Sequence, residues 1–167
     1  MTAQIGERLH YDGREMSMCS QPLNQYFSLG GTSPEFDTRR CTALWRGYVG
    51  TWEILDGRLY LIELSGTLDD GTEANLASVF PDFPQRVFAH WYSGQLRVPQ
   101  GKLLEYIHMG YGSTYEEDLL IDIRKGVVVN SNVRRNGTST ASGAPEGYGV
   151  GAWTVFPSKG DDQGAAR

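Results

Sequence analysis

The chain has 167 residues, with 20 acidic side chains against 15 basic ones and a formal net charge of −5. That length suits a single domain burying roughly 70% of the surface its unfolded chain exposes. The acidic balance argues against a nucleic-acid backbone as partner, since that binding needs a basic stripe. No run of about 18 apolar residues is present to cross a bilayer.

The opening stretch MTAQIGERLHYDG lacks the apolar centre of a secretion signal, and Cys19 and Cys41 are too few for a disulfide scaffold and lack metal-ligand spacing. A soluble, cytoplasmic protein with free thiols is the expectation. Asp-Gly pairs are strong hairpin signals, because a type I′ turn needs positive φ at both central residues. The first, Asp12-Gly13, lies between ERLHY and REMSM. SQPLNQYFSLG then reads as a short helix, with Ser20 as N-cap, Pro22 in the first turn and Gly30 just past its end. Residues 30 to 42 read as a loop. Asp56-Gly57 sits between GTWEIL and RLYLIEL, and Asp70-Gly71 marks a further turn. GTEANLASVFP gives a second short helix, from Thr72 to a stop before Pro81. RVFAHWY and QLRV flank Ser93-Gly94, KLLEYIHMGYG alternates as another strand, and DLLIDIR and VVVNSNV flank Lys125-Gly126.

These segments predict a mainly β fold over residues 1–134: a single antiparallel β-barrel or sandwich of about nine strands with two short helices. Beyond it the chain turns rich in Gly, Ser and Thr. Residues 135–150 read as a flexible connector, 151–156 (GAWTVF) as a returning edge strand and 157–167 as a loose tail.

The Asp56-Gly57 turn fixes a register in which Ile54 faces Leu59, Glu53 faces Tyr60 and Trp52 faces Leu61. Two steps on, Glu63 falls opposite Gly50 on the apolar face, where an unpaired carboxylate costs several kcal/mol. Three arrangements relieve this: a bulge that turns the strand end over, a sheet end open to water, or a concave mouth where Glu63 meets a cation such as Arg46. The last defines a catalytic reading with Glu63, His90 and His108. Separately, the Ser93-Gly94 turn sets His90 opposite Arg97, and His90, Tyr92, Tyr106 and His108 form a polar-aromatic patch, suited to a small ligand or a partner protein, if residues 86–92 and 103–111 are neighbours.

HMGYGSTYEED is the most site-like loop. Gly110 and Gly112 admit close backbone approach, Tyr111 and Tyr115 offer amphipathic contact area, and Glu116, Glu117 and Asp118 add charge. Trp45, Arg46, Tyr48 and Trp52 are residue types enriched at interface hot spots. No nucleophile elbow, HExxH, phosphate loop or paired metal-ligand motif is present, so neither a metal nor a cofactor is expected.

The runs WRGYVGTWEI, GRLYL, YSGQLRVPQGK and HMGYGS, within residues 7–134, resemble those of a group of small bacterial proteins of uncharacterised activity. That resemblance implies a bacterial, cytoplasmic, stand-alone domain and assigns no catalytic residue. By association with small acidic bacterial proteins that lack catalytic motifs, the expectation is a non-catalytic binding protein of the immunity or inhibitor type, capturing a toxin-like partner protein. Its contact surface would be aromatic and acidic: Trp45, Arg46, Tyr111, Tyr115, Glu116 and Glu117. The alternative is a small-ligand or hydrolytic site in the barrel mouth.

Overall fold

A computed structural model describes residues 2–137. Most of the expected connector, the edge strand at 151–156 and the tail at 157–167 lie outside them. Among the described residues nine strands form one sheet: β1 (Glu7–Tyr11), β2 (Arg14–Met18), β3 (Tyr48–Leu55), β4 (Arg58–Thr67), β5 (Glu73–Ala74), β6 (Val87–Phe88), β7 (Gly94–Glu105), β8 (Thr114–Arg124) and β9 (Val127–Arg135). The path runs β2-β1-β3-β4-β9-β8-β7, and β5 and β6 both pair with β4.

Three tight reversals organise this sheet. Asp12-Gly13, Asp56-Gly57 and Lys125-Gly126 each hold both residues in the left-handed region, with φ of +52° and +72°, +51° and +71°, and +48° and +80°. That geometry matches the twist of the hairpins it closes: β1–β2, β3–β4 and β8–β9.

The sheet is mixed, which corrects the expectation of an antiparallel one. β1 lies parallel to β3, pairing Arg8 with Thr51, Leu9 with Trp52 and His10 with Glu53. Parallel neighbours need a long crossover, and residues 19–47, which include the helix α1 (Pro22–Ser28), supply it. The end strands β2 and β7 approach each other, and Cys19 N–H donates to the Arg97 carbonyl at 2.8 Å. No ladder joins them, so the sheet is not closed into a barrel.

Leu9, Met18, Trp52, Leu59, Leu61, Leu96, Val98 and Ile121 fill the core with essentially no exposure. Burial of each stabilises by about 1.5–3 kcal/mol. A ring cluster closes one end: Phe80 stacks on Trp91 at 5.5 Å, Tyr26 tilts against both, and Trp91 Nε1 donates to the Pro22 carbonyl at 3.0 Å.

Local corrections have local causes. Helix α1 starts from Gln21, because the Ser20 hydroxyl is engaged with β7, accepting from Arg97 N–H at 3.0 Å. The second expected helix is β5 followed by a single 3-10 turn, Leu76–Ser78, closed by reciprocal Asn75 and Ser78 capping. Ser93-Gly94 makes no hairpin, and neither residue has positive φ. Val87 and Phe88 pair with Leu61 and Tyr60 instead, while Gly94 opens β7 opposite Ile123. The separate strands expected on either side of residue 101 are one long β7, bent where Gly101 takes φ +82° and the register shifts between Gln100 and Leu103.

Candidate functional site

From the Asp56-Gly57 turn the hairpin keeps the expected register as far as Trp52 opposite Leu61, and then it slips. Thr51 pairs with Glu63 and Gly50 with Leu64, leaving Ile62 as the extra residue of a bulge. One inserted residue exchanges the two faces of everything beyond it. Glu63 therefore points to water and Leu64 enters the core at 3% exposure. Of the three arrangements, the bulge is the one present.

A carboxylate does lie on the apolar row, on a different strand. Glu7 alternates with Leu9 along the inward face of β1, and both are fully buried. Its Oε1 accepts from Arg46 Nε at 2.6 Å. Its Oε2 accepts from Gly50 N–H at 2.6 Å and Trp52 Nε1 at 3.0 Å. Gly50 makes the approach possible, since a Cβ there would collide with Oε2. Burial pushes the Glu7 carboxyl above its ordinary range, against the downward pull of Arg46, Trp52 and the Gly50 amide.

Arg46 is the cation that the sequence associated with Glu63, and its side chain is only 6% exposed. The guanidinium lies over the Tyr48 ring, 5.5 Å from its centroid. Nε is spent on Glu7. Nη1 and Nη2 are both buried and have no hydrogen-bond partner among the described residues.

The second buried ion cluster shows what a completed arginine looks like in the same fold. Arg97 Nε donates to Asp118 Oδ1 at 2.9 Å, Nη1 to the Tyr111 carbonyl at 2.8 Å and Nη2 to the Ser113 carbonyl at 2.9 Å. Asp118 Oδ2 accepts from Arg134 Nη2 at 2.6 Å and Asn136 Nδ2 at 3.0 Å. Burial works to raise the Asp118 carboxyl, but its bonds to Asn136, Arg134 and Arg97 hold it below the usual range. Every nitrogen of Arg97 has an acceptor, whereas among the described residues Arg46 has one acceptor for three nitrogens.

The segment that carries Arg46 is tied to others distant in sequence. Residues 2–5 run between two loops: Ile5 N–H donates to the Ala43 carbonyl and Gln4 N–H to the Gly110 carbonyl, each at 2.8 Å. Gln4 Oε1 accepts from Trp45 N–H at 2.9 Å. Tyr111 Oη donates to the Ile5 carbonyl at 3.1 Å and accepts from Gln21 Nε2 at 2.8 Å. Burial raises the Tyr111 phenol, with Arg46 pulling the other way. The structure thus brings Arg46 and Tyr111 into one electrostatic neighbourhood, with Trp45 at 43% exposure beside it.

The remaining candidates are placed differently. Tyr115, Glu116 and Glu117 belong to β8, not to a loop. Glu116 Oε2 accepts from Lys102 N–H at the β7 bend, and Glu117 pairs with Arg135 at 3.4 Å. His90 follows β6 and is exposed, next to Ala89, whose N–H reaches the Leu59 carbonyl. Four residues along β4 separate that point from Glu63, about 13 Å of strand. His108 is also exposed, with Nδ1 at 2.7 Å from Tyr106 Oη. Burial pushes the Cys19 thiol up to about 11, so it is protonated at neutral pH and is a poor nucleophile. Among the described residues no group of three or more His, Cys, Asp or Glu is arranged to hold a metal ion. No helix in them is long and apolar enough to cross a membrane.

Glu7 is the residue that sequence reasoning missed. Its signal is present in ERLHY, where Glu7 and Leu9 share a strand face. Compared with protein-family models, with curated proteins and with solved structures, the chain matches none.

Proposed function

We propose that this chain is a non-catalytic binding protein whose buried Arg46 receives a small oxyanion, a carboxylate or phosphate, on its two terminal nitrogens. The observation that carries the reading is the pair of buried, unpartnered Nη atoms. A buried donor without an acceptor costs about 1–3 kcal/mol, more when it is charged, and such groups in native proteins mark the place of an ion or a water. The Nη1–Nη2 edge offers parallel N–H groups of the kind that grip a carboxylate or phosphate in two places. Glu7 fixes the guanidinium through Nε alone, so the fork is held with both terminal nitrogens unpaired among the described residues.

Thermal unfolding of the full chain in formate, acetate or phosphate tests this, with chloride keeping ionic strength constant. A ligand at a hundred times its Kd stabilises by about 2.7 kcal/mol, a rise of roughly 5–10 °C for a domain of this size. The rise saturates with concentration for at least one of the three anions. Arg46→Lys keeps one cationic donor for Glu7 and lacks the free fork, so its midpoint stays within about 1 °C across the same series. No saturable rise in the native chain, or an equal rise in Arg46→Lys, would make the occupant an internal water only and overturn the reading.

A further inference from the structure

β9 is nine residues long, contains no proline and pairs with β8 along one side. Among the described residues its other side meets β4 only at its start, through the Arg58–Val127 pairing and the bond from Val128 N–H to the Gly57 carbonyl at 2.8 Å. From Val129 onward no strand among the described residues adjoins that edge. Val129 and Val133 are 57% and 49% exposed. Folded proteins usually protect so long an edge with a proline, a cover, a bulge or charge. β9 has a bulge at Val129, where the ladder to β8 skips a residue. From Asn130 to Arg135 it has no proline and, among the described residues, no strand over it, and such an edge is a template for strand addition.

Charge says what would be added. In a chain of net charge −5, the stretch 124–137 contains Arg124, Lys125, Arg134 and Arg135 and no acidic residue. Arg134 serves Asp118. Arg124 and Lys125 are exposed, and Arg135, 86% exposed, makes a surface contact to Glu117, an interaction worth about 0–1 kcal/mol. The ends of the edge are thus positive and its middle is neutral. We infer that the open edge of β9 receives an extended, acidic segment of a partner protein as a further strand of the sheet. Backbone bonds along Val129–Arg135 would supply affinity, and the flanking cations would choose the sign of the incoming chain.

The probe is a nine-residue peptide alternating glutamate with valine and threonine. It is compared with its lysine-for-glutamate counterpart and with a single-stranded nine-nucleotide DNA. Amide shifts of the 15N-labelled full chain should move along Arg124–Arg135. Exchange protection of amides within 129–135 should rise at least tenfold, and the acidic peptide should bind at least tenfold tighter than the basic one. Val129→Glu with Val133→Glu, both on exposed positions, should weaken the acidic peptide at least tenfold. Shifts centred away from β9, equal affinity for the two peptides, or tighter binding of the DNA would overturn the proposal. Mapping on the native chain decides the matter even if the double variant fails to fold.

Discussion

Glu7 and Arg46 show how much can depend on one pair when both partners are inside. The carboxylate is stabilised by three donors and the guanidinium by one acceptor. Removing one member leaves the other charged and unpaired, which costs about 3–5 kcal/mol for buried pairs. Arg46→Met should therefore destabilise by about that amount in urea unfolding. Glu7→Gln combined with Arg46→Met should cost clearly less than the sum of the single changes, because the double variant strands no charge. Additive losses would show that the two side chains act independently. At this scale the sequence was half legible. It offered a bulge as one way to turn Glu63 outward and Arg46 as another way to pair it. The bulge is present, and Arg46 pairs instead with Glu7, which strand alternation puts inward but does not match to a distant partner.

Among the elements, turn chemistry was the most readable feature. Asp12-Gly13 and Asp56-Gly57 adopt the positive-φ pair that Asp-Gly favours, and Lys125-Gly126 does so with a less suited first residue. Ser93-Gly94 looked similar and failed, because Val87 and Phe88 found pairing partners on β4 and Gly94 found Ile123. Tertiary pairing overrode a local signal that required no particular φ. The 72–80 stretch failed as a helix for a related reason, with Ala74 paired to Gly66 before the chain could coil. The bulge at Ile62 makes a direct prediction. Since it holds Glu63 in solvent, Glu63→Leu should shift stability by no more than about 0.5 kcal/mol. A gain of 2 kcal/mol or more in denaturant unfolding would mean that Glu63 faces the core.

For the whole molecule, Asp118 ties β7, β8 and β9 to the loop that carries Tyr111. Its carboxyl is depressed in the fold, so the stability it contributes is complete above its unfolded value near 3.8 and is lost as pH falls through the lower folded value. Asp118→Asn should lose roughly 3 kcal/mol at neutral pH and lie closer to the native chain in acid, giving a flatter curve below pH 3.8. Parallel curves from pH 7 to pH 2 would contradict this. Glu7 acts in the opposite sense. Its raised carboxyl favours the fold below 4.5, and that contribution fades as pH rises through the folded value. The mainly β class was readable from spacing, but the parallel β1–β3 contact was not, because no local pattern reports which distant strand a hairpin will join.

That parallel contact also orders events in time. The three hairpins close over a few residues, whereas Glu7 and Gly50 are 43 residues apart, so bringing them together costs about 2 kcal/mol more in chain entropy than a tight reversal does. Chain entropy thus predicts that the leading hairpin docks after the β3–β4 ribbon has formed, so that in refolding the β3–β4 amides gain exchange protection before those of β1.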